Sequence, residues 1–249
     1  MYLLSFARHK IRRIIYSDPL EKLGFLFLSY FGFRKEKSIP DEMDYWDEEL
    51  SGRLSAYIQP KISTISHARM IATLVGFHLP AKGKVLDLGC GGGYLAEALH
   101  GEGFKQYIGV DISRIATDFA TQRVNENAEK FPESCRFDVG ALTDYIPQEI
   151  GEGQFFDLIV FSEVLYYLPT SEDALLEVQR SAGWLKKGGL ICVALKDDGK
   201  SSAILRRLSN SFMFVSSVLV QEQTGQPSYH IRINRERPGY LIMLLTPKS

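Results

Sequence analysis

From Lys84 onward the chain alternates between short apolar runs and longer amphipathic stretches. KVLDLG, QYIGVD, FDLIVF and GLICVAL are rich in bulky and β-branched residues and predict strands. The stretches YLAEALHGEG, SRIATDFATQRVNENAEKF and SEDALLEVQRSAGWLKKG carry apolar residues at helical spacing. This alternation predicts an α/β protein built on a doubly wound, parallel sheet. The same rhythm places a further strand at Cys135 to Val139. Near the end of the chain, SYHIRIN and GYLIMLLT flank RERPG, whose Pro238 and Gly239 favour a reversal, so an antiparallel hairpin is expected there. Between the last parallel strand and that hairpin, SSAILRRLSN reads as a helix, whereas SFMFVSSVLVQEQ fits a helix or a strand.

Ahead of the first strand, ISTISHARMIATLVGF holds Ile62, Ile65, Met70, Ile71, Leu74 and Val75 at near-helical spacing, which predicts a helix running up to Pro80. The acidic DEMDYWDEEL before it reads as a mobile or capping element. The chain thus divides into an N-terminal helical cap or lid region, residues 1–80, and a core domain, residues 81–249. A length of 249 residues with 45% hydrophobic content supports a substantial buried core.

Charge narrows the classes. The net charge of -1 argues against a nucleic-acid grip spread over the surface. Residues 1–37 hold eight Lys or Arg against three Asp or Glu, and residues 38–50 hold six acids with no Lys or Arg. The ten-residue apolar run GFLFLSYFGF is about half of the roughly 20 residues that span a bilayer. The basic, apolar residues 1–33 either lie on an anionic membrane surface or pack on the core or a second subunit, packing being the preferred reading. Cys90, Cys135 and Cys192 are far apart and lack metal-ligand spacing, so no metal site or disulfide framework is expected, and a reduced, cytoplasmic protein is the simpler reading.

The stretch VLDLGCGGGYL, residues 85–95, carries the chemistry. Gly89, Gly91 and Gly93 follow the first strand, where an open parallel sheet lets a ligand approach the backbone closely. A dinucleotide fingerprint wants glycine where Tyr94 stands, and no Gly-Lys-Ser/Thr follows. Asp87 would repel a pyrophosphate and attract an ammonium or sulfonium. Asp111 ends the next strand, where a carboxylate accepts ribose hydroxyls or caps the following helix. A ribose with a cationic tail describes S-adenosylmethionine.

VLDLGCGGGYL, YIGVDIS, FDLIVFSEVLYYL and LKKGGLICVAL, in this order and spacing, resemble the class I S-adenosylmethionine-dependent methyltransferases, closely over roughly residues 80–195 and loosely at the terminal hairpin. The resemblance implies a Rossmann-like fold with S-adenosyl-L-methionine as cofactor. It implies that Asp87, Gly89, Cys90 and Gly91 hold the methionine end, Asp111 the ribose, and Ile112 the adenine. Many relatives have an aspartate where VGAL places Ala141. Either Ala141 and Leu142 give backbone and packing contacts to adenine, or Asp138 supplies the acid in a shifted register.

Ser162 and Glu163 should lie near the methyl group. Glu163 either orients or deprotonates the acceptor or caps the next helix. Tyr166 and Tyr167 either line the acceptor pocket and face the sulfonium or pack in the core. Tyr45 and Trp46 resemble a pre-core element that covers the cofactor; the alternative is a hydrophobic staple. His67 and Arg69 either approach the cofactor carboxylate or serve the surface or core. SEVLYYL resembles the corresponding segment of nodulation-type methyltransferases acting on an amino-sugar nitrogen. The expectation is therefore methylation of nitrogen or oxygen on a small molecule, with a sugar or sugar-like acceptor leading and no nucleic-acid partner. The alternative is a non-catalytic nucleoside-binding or interaction module, against which the intact Asp87, Asp111 and glycines argue.

Overall fold

The computed structural model describes residues 39–51, 62–79, 83–148, 155–196, 199–221 and 239–248. The expected hairpin strand SYHIRIN and the basic, apolar residues 1–33 lie outside these. The five parallel strands fall where the apolar runs predict: β1 (Lys84–Leu88), β2 (Gln106–Asp111), β3 (Ser134–Val139), β4 (Phe156–Ser162) and β5 (Leu185–Lys196). They join two antiparallel strands, β6 (Phe212–Gln221) and β7 (Gly239–Pro247), in the order β3-β2-β1-β4-β5-β7-β6. Thus the antiparallel partner of Gly239–Pro247 is the segment SFMFVSSVLV, whose pattern had fitted a helix equally well. Its β-branched and aromatic content suits a pleated edge.

Helices cover both faces. On one side lie α2 (Ile62–His78) and α3 (Tyr94–Gly101), where Ile71, Val75 and Leu99 share a core with Val85, Val160, Cys192 and Leu244. Helix α2 is therefore a packed layer of the sheet domain. The other face carries α5 (Ser171–Ala182) and α6 (Gly199–Ser211), with Val178, Ile204 and Leu208 packed against Leu86, Ile159, Phe161 and Val193. Alternate residues of β1, β4 and β5 thus enter opposite cores, as period-two side chains must. Helix α4 (Arg114–Glu126) packs beside β2 and β3, and an acidic helix α1 (Ile39–Ser51) packs on α4.

Local signals set the helix starts that matter for the site. Ser113 caps α4 by accepting from the Ala116 amide at 3.2 Å. Thr170 and Asp173 form a reciprocal capping box at the start of α5. Strand order reverses between β1 and β4, and at such a switch point the carboxyl ends of neighbouring strands part to leave a crevice.

Candidate cofactor and acceptor site

The loop after β1 is not built for phosphate. The amides of Gly89 and Cys90 both donate to the Val110 carbonyl, at 2.7 and 3.0 Å. Gly91 donates to Asp111 Oδ2 at 2.9 Å, and Gly93 to the Cys90 carbonyl at 3.1 Å. With these four donors committed, the loop cannot act as the anion nest that its glycines first suggest. Nor do Gly89 and Cys90 offer amides to a methionine group; they can contribute carbonyls and room. Gly89 has φ 87°, and a Cβ there would stand 2.7 Å from Val164. Gly91, at φ 51°, has open space where its Cβ would be, so a ligand can lie directly on the backbone. Cys90 is a buried filler whose thiol is pushed up by burial, far from a reactive thiolate.

Beneath this loop Asp87 is 2% exposed. Its Oδ2 accepts the Tyr107 hydroxyl at 2.5 Å, while Oδ1 is buried with no hydrogen-bond partner among the described residues. Burial pushes the Asp87 carboxyl up to about 7, with the Tyr107 hydrogen bond acting to lower it and the nearby Asp111 to raise it. A buried carboxylate with one unsatisfied oxygen fits an incoming ammonium. Asp111 accepts from the Gly91 and Ser113 amides, one on each oxygen, at 2.9 and 3.0 Å. Burial raises its pKa against those two bonds. Each oxygen keeps a further lone pair, enough for a pair of ribose hydroxyls.

The loop after β3 begins where the Gly140 amide donates to the Asp111 carbonyl at 2.9 Å, which brings Ala141, Leu142 and the half-buried Ile112 to the same end of the sheet. Asp138 is otherwise engaged: its Oδ2 accepts Tyr145 Oη at 2.6 Å and Arg136 Nε at 3.3 Å. Of the two readings for this loop, the geometry favours backbone and packing contacts from Ala141 and Leu142. Arg180 holds the loop from behind, its Nη2 and Nη1 donating to the carbonyls of Leu142 and Tyr145 at 2.8 and 2.9 Å. Glu177 grips the same guanidinium at 2.6 and 2.9 Å, and Trp184 lies beneath it at 4.6 Å.

At the end of β4, Ser162 pairs opposite Ala194 and Glu163 donates its amide to the Ala194 carbonyl at 2.8 Å. Glu163 has φ 58°, the left-handed region that a glutamate rarely adopts. Its Oε2 accepts the Tyr166 hydroxyl at 3.0 Å. The Tyr166 and Tyr167 rings are 4.7 Å apart, and Trp46 from α1 meets Tyr167 edge-on at 4.9 Å, with Tyr45 beside Trp46 at 5.4 Å. Asp47 of the same helix accepts from the Ser113 hydroxyl and from the Ile115 amide, so α1 docks on the start of α4. The Tyr-Trp element therefore stands over the crevice between Asp111 and Tyr167. The His67 ring lies 3.8 Å from that of Tyr240. Arg69 is exposed.

A methyltransferase-domain family profile matches residues 59–224, two thirds of the chain. The chain belongs to the S-adenosylmethionine-dependent methyltransferases. A ubiquinone biosynthesis O-methyltransferase of Thiobacillus denitrificans is 32% identical over 122 residues, covering 49% of this chain and 48% of that protein. The chain spans about half the length of the curated relatives it matches of this kind. Among solved structures, the magnesium protoporphyrin IX methyltransferase of Synechocystis with bound S-adenosylmethionine superposes with a TM-score of 0.59 at 16% identity, covering 86% of this chain and all of that one. The N-methyltransferase NodS of Bradyrhizobium japonicum, in complex with S-adenosylhomocysteine, gives 0.54 at 18% identity over 72% of this chain and 86% of its own. These two likenesses show the fold.

The cofactor of the methyltransferase is S-adenosylmethionine, and the orphaned Asp87 oxygen, the paired Asp111 and the open face of Gly91 fit it. Sequence reasoning missed Tyr107, Asp47 and Arg180. A tyrosine inside a buried strand needs a polar partner, which was the available signal for Tyr107. Asp47 was hidden in an acidic run, and Arg180 in an ordinary amphipathic helix. No group of described residues forms a metal-binding cluster, and no described helix is long and apolar enough to cross a membrane.

Proposed function

We propose that this methyltransferase acts on an oxygen or nitrogen of a small, ring-bearing molecule, with a sugar or amino sugar as the leading acceptor. The observation that carries this reading is the aromatic group Trp46, Tyr167 and Tyr166 set beside Glu163 at the end of β4. Flat apolar faces suit the face of a pyranose or an aromatic ring, and the carboxylate suits its hydroxyl or amine. The name of the Thiobacillus relative, an O-methyltransferase, supports oxygen; that of NodS, an N-methyltransferase, supports nitrogen.

Bound S-adenosylmethionine supplies a methyl group made electrophilic by its sulfonium. Asp87 would hold the ammonium, Asp111 the ribose, the Ala141–Leu142 backbone the adenine, and Ser162 the methyl-bearing end. Holding an acceptor in line can contribute about 7 to 11 kcal/mol by orientation. Helix α1, docked through Asp47, screens the crevice from water. Glu163 accepts the acceptor's proton, while the Tyr166 hydroxyl steadies the carboxylate. The Tyr167 ring would attract the cationic centre by about 0.5 to 2 kcal/mol. Intact Asp87 and Asp111 support an active enzyme over a non-catalytic nucleoside-binding module.

The test is a panel of amino sugars, neutral sugars and phenols scored by release of S-adenosylhomocysteine, with Glu163→Gln alongside. Turnover on a small acceptor, reduced at least about a hundredfold in the variant, supports the reading. Undiminished turnover in Glu163→Gln removes Glu163 as the base.

A further inference from the structure

We infer that the acceptor carries an anionic group, a carboxylate or phosphate, received by a subsite formed by Lys196, Tyr240 and His67 at the carboxyl edge of β5. This rests on the proposed acceptor side of the site. On the face covered by α2, the inward residues run Leu158 and Val160 in β4, Cys192 and Ala194 in β5, and Ile242 and Leu244 in β7. Continuing each strand with period two places Ser162, Lys196 and Tyr240 on that same face, at the edge where the aliphatic core stops. Lys196 lies opposite Tyr240 in the β5–β7 register, and Ser162 opposite Ala194. Lys196 therefore stands two residues beyond the partner of Ser162, roughly 7 Å further along the strand.

Helix α2 closes the third side, bringing the His67 ring to 3.8 Å from the Tyr240 ring. Lys196 is half-buried and forms no hydrogen bond or ion pair with a carboxylate among the described residues. Lys105 and Lys186, by contrast, meet Glu133 and Asp157. Lys196 thus shares this face with Tyr240, against whose ring the His67 imidazole lies. An ammonium with no carboxylate partner among the described residues attracts an oxyanion.

Its position also assigns it to the acceptor. The cofactor carboxylates Asp87 and Asp111 end β1 and β2, on one side of β4; Lys196 and Tyr240 end β5 and start β7, on the other. A ring held at its anionic end by Lys196 would present its far side to Ser162 and Glu163. The anion thus fixes which hydroxyl or amine meets the methyl group.

The test is binding, independent of turnover. Protein saturated with S-adenosylhomocysteine, and protein without it, are titrated calorimetrically with inorganic phosphate, benzoate and neutral benzyl alcohol. We expect saturable binding of at least one anion, at least about tenfold tighter than benzyl alcohol, weakened tenfold or more in Lys196→Met and retained in Lys196→Arg. The affinity for S-adenosylhomocysteine and the melting temperature should stay unchanged in both variants. Phosphate and benzoate separate the two anion types. Absence of anion binding, or equal anion binding by Lys196→Met, overturns the inference. A tenfold loss of S-adenosylhomocysteine affinity in Lys196→Met also overturns it, by giving Lys196 to the cofactor's own carboxylate. Failure of the panel of methyl acceptors would leave these titrations readable.

Discussion

Asp87 sits with its carboxyl raised by burial to about 7, so a proton competes for the oxygen proposed to hold the cofactor's ammonium. Affinity for S-adenosylhomocysteine should fall as pH drops below about 7, by up to tenfold per unit, and level off above about 8. Asp87→Asn should bind weakly with a flat profile; a variant profile parallel to wild type would contradict this. The same shift acts on folding. An unfolded aspartate ionises near pH ~4, so the folded protein holds the extra proton between about 4 and 7, and ligand-free stability falls as pH rises through that window. Added S-adenosylhomocysteine should therefore raise the melting temperature more at pH ~8 than at pH ~6. At Glu163 the backbone is left-handed. Glu163→Gly would relieve about 1 kcal/mol of strain against a similar gain in unfolded-chain entropy. Its melting temperature should hold within a few degrees while kcat falls at least about a hundredfold; a large loss of stability with normal kcat would give Glu163 a structural role only. Asp87 and Asp111 stood out in the sequence because a carboxylate at a strand end contradicts a phosphate loop. The strain at Glu163 was not, since φ depends on how β4 leaves the sheet beside Ala194.

At the scale of elements, loop 140–145 is held by side chains from another helix. Arg180 supplies its carbonyls with donors, and Glu177, 5% exposed, depends on Arg180 for its charge partner. Arg180→Met alone should destabilise the fold by about 3 to 5 kcal/mol through the stranded Glu177. The double variant Glu177→Met with Arg180→Met should recover much of that stability yet still bind S-adenosylhomocysteine about tenfold more weakly, as calorimetry and thermal melts would show. Wild-type affinity in the double variant would remove the loop from cofactor binding. Helix α1 is tied to the start of α4 through Asp47. Asp47→Ala should lower kcat/KM about tenfold through looser closure with little change in melting temperature; an unchanged kcat/KM would make α1 a bystander. The parallel strands were readable from runs of apolar residues. β6 was not, because its choice between helix and strand is made by the free edge of β7, a contact distant in sequence.

Across the whole molecule, the sheet order puts two carboxylates and a glycine loop on one side of β4 and Lys196 with Tyr240 on the other, the side proposed for the acceptor. The fold was legible because strand and helix alternate strictly; the proposed acceptor side was not, because α1, α2, β5 and β7 bring its residues from distant segments. The central claim is that Asp87 and Asp111 together make the cofactor site. The most direct measurement is calorimetric titration of the protein with S-adenosylmethionine and S-adenosylhomocysteine, with Asp87→Ala and Asp111→Ala alongside. The account predicts micromolar binding by the wild type and at least about a hundredfold loss in each variant, with melts confirming that both remain folded. Undiminished binding by either folded variant would contradict it.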